Sequence, residues 1–150
     1  MLTPSRKELL SCCGSSRWAD EVVRRLPFAT MEELLAAADE IWGTLDAADW
    51  LEAFAAHPRI GERTADRQAS REQSRAAAAD ASVHARLAQG NRDYEARFGY
   101  IFIISAQGKS AEEMLGALER RLRNPAAEEL KIAAAEQAKI TRLRLGRLQT

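Results

Sequence analysis

The feature that most constrains the fold of this chain is its wealth of good helix formers. Alanine, leucine, glutamate and arginine dominate the sequence, and no alternating pattern of apolar and polar residues persists. The one strand-like run, residues 100–104 (Tyr-Ile-Phe-Ile-Ile), has no second candidate with which to pair, and a lone strand leaves its backbone groups without hydrogen-bond partners. We therefore predict an all-α fold in which residues 100–104 form a buried helical or irregular segment.

Several helix boundaries are marked by local sequence. Residues 30–33 (Thr-Met-Glu-Glu) and 110–113 (Ser-Ala-Glu-Glu) fit the capping box, in which a hydroxyl and a carboxylate satisfy each other's backbone N–H groups. Asn124-Pro125 fits an N-cap followed by the first residue of a helix, which we expect to run to about Leu148. Another helix is expected over about 46–56.

Length, charge and cysteine content narrow the class of protein. A chain of 150 residues with 46% hydrophobic and 29% charged residues favours one globular domain, residues 1–150. Basic and acidic residues number 22 each, so no net charge favours nucleic acid or an acidic membrane as a partner. Adjacent Cys12 and Cys13 indicate a reducing compartment. With no secretory signal and no apolar run of about 20 residues, we expect a cytoplasmic protein.

Two charged residues fall on helix faces that are otherwise apolar. Glu72 shares a stripe with Ala76, Ala79 and Val83, although an acid in a first helical turn also suits the helix dipole. Arg144 lies among the apolar positions of the last helix. It either holds a buried carboxylate or an anionic ligand, or it reaches solvent from near the chain terminus.

His57 is the third residue of interest. It follows an apolar helix and precedes Pro58, which disfavours the helical conformation at His57 and should end the helix there. The imidazole is either presented for chemistry or serves as a cation at a helix C-terminus. One histidine, one acid and one arginine suit general acid/base chemistry on an anion, but they do not name a substrate.

A series of short motifs, taken in order, resembles one known family. The chain from near Met31 to Leu145 resembles the 2-oxo-4-hydroxy-4-carboxy-5-ureidoimidazoline (OHCU) decarboxylases. The motifs that carry the resemblance are residues 57–62 (His-Pro-Arg-Ile-Gly-Glu), 70–73 (Ser-Arg-Glu-Gln), Asn91, Tyr94, 98–103 (Phe-Gly-Tyr-Ile-Phe-Ile), 119–122 (Glu-Arg-Arg-Leu), Asn124, 128–130 (Glu-Glu-Leu), Glu136, Ile140 and 143–145 (Leu-Arg-Leu).

This resemblance implies a fold, a reaction and a site. It implies a compact all-α bundle of about eight or nine helices, without metal or organic cofactor, that forms a homodimer. The small-molecule substrate would be OHCU, decarboxylated to (S)-allantoin in urate degradation. The resemblance implies that His57 and Glu72 are catalytic. It also implies a set of substrate-binding residues, namely Pro58, Ser70, Gln73, Phe98, Gly99, Tyr100, Ile101, Phe102 and Arg144.

Two alternatives remain open at this point. In the first alternative, the chain is a non-catalytic helical module that binds ureides or proteins. In the second, it is an enzyme of the same fold that acts on another ureido acid. The presence of His57, Glu72, Gln73 and Arg144 together argues against the module, which has no need of that set. The sequence does not distinguish OHCU from another ureido acid as the substrate, because substrate choice depends on pocket shape.

Overall fold

The computed structural model describes residues 1–58 and 81–148. These ranges hold seven α-helices, and the only strand-like feature in them is one antiparallel bridge between Leu2 and Phe28. The all-α prediction is confirmed, and the described ranges contain fewer than the eight or nine helices expected. None of the described helices is long and apolar enough to cross a membrane. The helices are α1 (Arg6–Cys12), α2 (Ser16–Arg24), α3 (Met31–Thr44), α4 (Ala47–Ala55), α5 (Ala81–Phe98), α6 (Ala111–Arg121) and α7 (Ala126–Gly146).

The chain divides into two compact units. Unit 1 combines residues 1–56 with 134–150, and unit 2 comprises residues 57–133. Helix α7 therefore contributes its first residues to unit 2 and the remainder to unit 1. The single domain over residues 1–150 stays a prediction, and each unit is described by itself.

Unit 1 packs large tryptophan side chains whose indole N–H groups donate hydrogen bonds to backbone carbonyls. The indole N–H of Trp18 donates to the carbonyl of Ala38 at 3.1 Å, and that of Trp42 donates to Ala134 at 2.9 Å. The half-buried Trp50 donates its indole N–H to the carbonyl of Trp42 at 3.0 Å. A buried indole needs such an acceptor, so these bonds allow the rings to pack between helices.

The helix starts in unit 1 are set by local capping. Ser5 and Glu8 form a capping box at α1 that the sequence analysis missed. At α3 the Thr30 hydroxyl accepts from the N–H of Glu33, as predicted, but the Glu33 carboxylate accepts from Ala29 instead of Thr30. The predicted box at residues 30–33 is therefore only half formed, because the carboxylate reaches one residue further back.

Unit 2 is built on the close packing of α5 against α6. A Cβ added at Gly90 would lie 2.5 Å from Cδ2 of Leu118, so glycine allows the two helices to approach. The predicted capping box of Ser110 and Glu113 is present at the start of α6. Helix α5 runs from Ala81 to Phe98.

Helix α7 begins one residue later than predicted. Its first residue is Ala126, and the carbonyl of Pro125 accepts the N–H of Glu129 at 2.9 Å. The predicted N-cap, Asn124, uses its side-chain amide differently, because it donates to the Glu129 carboxylate at 3.0 Å. Asn124 therefore serves a side-chain network inside unit 2.

Candidate functional site

His57 follows the end of α4, as the sequence predicted. The helix ends at Ala55, and the N–H of Ala56 donates to the carbonyl of Ala53 at 3.2 Å. His57 lies in the bend that follows, and both it and Pro58 are half-buried. A half-buried imidazole is still accessible to a small molecule, which suits proton exchange.

Three predicted site residues lie outside the described residues. Glu72, the second catalytic candidate, and the substrate-binding candidates Ser70 and Gln73 all fall in the range 59–80. Their roles stay predictions.

The predicted substrate-binding run Phe98–Phe102 marks the transition from α5 to an irregular segment. Helix α5 ends at Phe98, and Gly99 adopts a φ of 85°, a left-handed conformation that glycine takes without steric penalty. Tyr100 and Ile101 are half-buried, whereas Phe102 is buried. The prediction of a buried segment outside any strand is confirmed, and its irregular form is the one observed.

Side chains supply the hydrogen bonds that a neighbouring strand would otherwise provide. The Arg121 guanidinium donates through Nη1 to the carbonyl of Ile103 at 2.7 Å, and the Lys109 ammonium donates to the carbonyl of Ser105 at 2.8 Å. The N–H of Lys109 also donates to the carbonyl of Ala106 at 3.1 Å. Buried backbone polar groups require partners, so these bonds allow an irregular segment to remain buried without a sheet.

An aromatic cluster packs along the same segment. The ring of Tyr94 lies 4.6 Å from that of Phe98, 5.3 Å from Phe102 and 5.8 Å from Tyr100, as measured between ring centroids. Burial raises the pKa of the Tyr94 hydroxyl strongly, and its hydrogen bond to Glu129 raises this pKa further. Burial also raises the pKa of Tyr100. Both phenols therefore remain protonated at neutral pH, and the Tyr94 hydroxyl donates to the Glu129 carboxylate.

A buried ionic network lies beneath this cluster. The Glu129 side chain is fully buried, and its Oε2 accepts from Nε and Nη2 of Arg121 at 2.9 and 2.7 Å. Oε2 also accepts from the Tyr94 hydroxyl, while Oε1 accepts from the Asn124 amide. A buried charge requires a partner of opposite charge together with hydrogen bonds, and the Glu129 carboxylate has both.

The sequence motifs predicted no role for this network, although a signal was present. Glu129 stands four residues before buried Ala133 on α7, so it lies on the buried face of that helix. The test that singled out Glu72 and Arg144, a charge on an apolar stripe, also applies to Glu129. Its partner Arg121 comes from α6, and only the folded chain shows that the two residues meet.

Arg144 is buried in unit 1. It is 9% exposed, and its Nη1 approaches the carbonyl of Ser11 at 3.5 Å. This burial contradicts the alternative in which Arg144 reaches solvent. Burial raises the pKa of the neighbouring Cys12 to about 11 and that of Cys13 to about 12, and the positive charge of Arg144 opposes both shifts only weakly.

Comparison with known proteins decides the family. The family model described as OHCU decarboxylase matches residues 4–146. The chain belongs to the OHCU decarboxylase family. The sequence-based resemblance is thereby confirmed over nearly the whole chain.

Two related proteins and one solved structure are similar to most of the chain. The Arabidopsis thaliana uric acid degradation bifunctional protein TTL is 41% identical over 91% of this chain, and the chain spans 45% of that longer protein. The Amia calva OHCU decarboxylase is 33% identical over 79% of this chain and 72% of its own length. A crystal structure of OHCU decarboxylase in the presence of (S)-allantoin has a TM-score of 0.86 and 42% identity, covering 96% of this chain and 97% of its own.

Proposed function

We propose that this chain decarboxylates OHCU to (S)-allantoin in urate degradation. The observation that carries the proposal is the 42% identity to an OHCU decarboxylase crystallised in the presence of (S)-allantoin, because the match extends over nearly the full length of both chains. Membership of the OHCU decarboxylase family supports the same reaction. The OHCU ring carries a carboxylate, a hydroxyl and a ureido arm, and its unaided decay gives racemic allantoin. An enzyme must therefore accelerate the loss of carbon dioxide and select one face for reprotonation.

His57 is the proposed acid/base group. It exchanges a proton with the ring hydroxyl as carbon dioxide leaves, and Glu72 orients either His57 or the substrate through a hydrogen bond. The partial burial of His57 supports this role because the imidazole remains accessible to a small molecule. General acid/base assistance of this kind contributes roughly 10²–10⁴-fold to a rate.

The remaining predicted residues bind the substrate in this proposal. Arg144 and Gln73 hold the ring carbonyl and ureido groups and stabilise developing negative charge, since a guanidinium is always charged and presents several donors. Pro58 and Ser70 line the site, and backbone groups of Phe98–Phe102 contact the ring. The partial burial of Phe98, Tyr100 and Ile101 supports that last role, because this stretch is accessible while the residues after it are buried.

The family resemblance also supports two broader proposals. The enzyme works without metal or organic cofactor and forms a homodimer. The free cysteines Cys12 and Cys13, which suit a reducing compartment, support the further proposal that it resides in the cytoplasm. Light scattering on the purified chain tests the dimer directly, because a monomer mass would contradict it. Activity that persists after treatment with a chelator is the expected result for the cofactor proposal.

The decisive experiment is circular dichroism of freshly generated OHCU with and without the purified chain. We expect rapid growth of an (S)-allantoin signal in its presence and a racemic, optically silent product in its absence. His57→Ala should slow the reaction at least about 10²-fold. His84→Ala is the matched control, because His84 is the only other histidine and lies within α5, and it should keep the full rate.

The possible failures of this experiment have different meanings. Folded wild-type protein that neither accelerates decay nor produces a chiral excess would overturn the proposed reaction. Near-full activity of His57→Ala would leave the reaction in place and overturn the role of the histidine.

A further inference from the structure

We propose that Arg121 is a positioning residue that holds the Phe98–Phe102 segment in its substrate-binding conformation, with Glu129 fixing the guanidinium. The inference rests on the proposed function, because it assumes that this segment contacts the substrate ring. Every contact that carries it lies within unit 2. Arg121 itself is buried, with 8% of its surface exposed, so its role is exerted through the segment.

The first step is the way in which Arg121 is fixed. Nε and Nη2 both donate to Oε2 of Glu129, and this leaves Nη1 directed at another acceptor. Because the guanidinium is planar and rigid, two bonds on one edge determine where its remaining nitrogen points. Bonds from Tyr94 and Asn124 hold the Glu129 carboxylate in turn.

The second step is what the fixed guanidinium holds. Nη1 donates to the carbonyl of Ile103 at 2.7 Å, and the guanidinium carbon lies 4.5 Å from the centroid of the Phe102 ring. Arg121 therefore contacts the segment twice, once at the backbone and once through a cation–π interaction. No sheet neighbour supports Ile103 in the described residues, so the arginine takes over that function.

The contacts of Arg121 with Phe102 and Ile103, which we call the anchor, lie next to the accessible part of the segment. The anchor acts at Phe102 and Ile103, which are buried, and the half-buried residues Tyr100 and Ile101 immediately precede it. Backbone groups that bind a small ring need accurate placement, because a hydrogen bond weakens steeply as its geometry departs from the ideal. An anchor one or two residues away is well placed to provide that accuracy.

The test uses variants that separate anchoring from folding. Arg121→Met keeps the apolar stem but leaves Glu129 charged and buried, which can prevent folding. The double variant Arg121→Met/Glu129→Gln removes that charge and retains an acceptor for Tyr94, while the bond to Ile103 stays absent. Arg121→Lys retains one cation and should restore function in part. The matched control is Arg86→Met, because Arg86 forms an exposed ion pair with Glu119 in the same unit.

Two measurements are made on each folded variant. Deuterium exchange of residues 98–106, without ligand, reports whether the segment has loosened. Steady-state kinetics with OHCU report KM and kcat separately, because a merely structural defect lowers the active fraction and leaves KM unchanged. We expect the double variant to raise KM about tenfold and to keep kcat within about threefold, since uniform binding is what is lost. Exchange should rise in the segment, and Arg86→Met should change neither quantity.

The outcomes separate this inference from the proposed function. A folded double variant with wild-type exchange in residues 98–106, or with unchanged KM, would overturn the role of Arg121. A wild-type chain without activity toward OHCU, whose segment still loosens in the Arg121 variants, would overturn the proposed function and support the anchor.

Discussion

Replacement of Glu129 by alanine tests whether the buried network stabilises unit 2. The Glu129 carboxylate is fully buried and accepts two hydrogen bonds from Arg121, one from Tyr94 and one from Asn124. Glu129→Ala therefore leaves an unpaired guanidinium in the interior. It also removes the acceptor of the Tyr94 hydroxyl and of the Asn124 amide.

The expected loss is set mainly by the stranded charge. Removal of one partner from a buried ion pair costs about 3–5 kcal/mol, because the remaining charge keeps its desolvation penalty. The unmet donors of Tyr94 and Asn124 are part of the same disruption and do not add independently. We expect Glu129→Ala to lower the free energy of unfolding by about 4 kcal/mol, and the Tm by roughly 10 °C for a chain of this length. Glu129→Gln, which retains an acceptor, should lose less.

Urea denaturation followed by far-ultraviolet circular dichroism measures the effect. The matched control is Glu119→Ala, because Glu119 also pairs with an arginine but its side chain is 47% exposed. An exposed pair contributes at most about 1 kcal/mol, so this variant should remain close to wild type. Equal losses for Glu129→Ala and Glu119→Ala would refute the reasoning, since burial would then make no difference to the value of the pair.

Two further predictions follow from packing and burial. An added methyl at Gly90 meets Leu118 Cδ2 at 2.5 Å, so Gly90→Ala should destabilise the fold by about 1–2 kcal/mol. A methyl added at Gly43 has no atom within 4 Å, so the control Gly43→Ala should stabilise the fold by up to about 1 kcal/mol. Urea unfolding of both variants measures these changes, and equal effects would contradict the crowding between α5 and α6. Burial in the folded chain raises the pKa of Cys12 from 9.0 to about 11 and that of Cys13 from 9.0 to about 12. As the pH rises, the thiols of the unfolded chain therefore lose their protons first. The stability that the two buried thiols contribute is fully present below about pH 9 and is lost as the pH rises through the folded-state values. Denaturation curves between about pH 8 and about pH 11 should therefore fall more steeply for the wild type than for a Cys12→Ala/Cys13→Ala variant, and parallel curves would contradict the burial argument.

Sequence predicted the local features of this fold well. The capping box at Ser110, the end of α4 before Pro58 and the all-α class each depend on residues close together in the chain. Residues 100–104 were excluded from a strand for a simple physical reason, namely the absence of a second strand that could pair with them. Where local prediction was incomplete, as at Thr30, a carboxylate reached a backbone group one residue away from the expected one.

The candidate site depends on both kinds of information. Sequence motifs selected His57 and Arg144, but only the folded chain shows that His57 is half-buried and that Arg144 is buried next to the carbonyl of Ser11. Ser11 and Arg144 are separated by 133 positions, so no local pattern indicates their contact. The roles of Glu72, Ser70 and Gln73 rest on sequence alone.

The sequence by itself determined several helix boundaries, such as the start of α6 at Ser110 and the end of α4 before Pro58, because caps and prolines act over a few residues. It also determined the family, through motifs spread in order along the chain. The tertiary structure decided how the buried charges are paired. Arg121 and Glu129 come from successive helices, and only their packing brings the guanidinium to the carboxylate and to the Ile103 carbonyl. Such pairing follows from distances through space, which neither helical periodicity nor capping encodes.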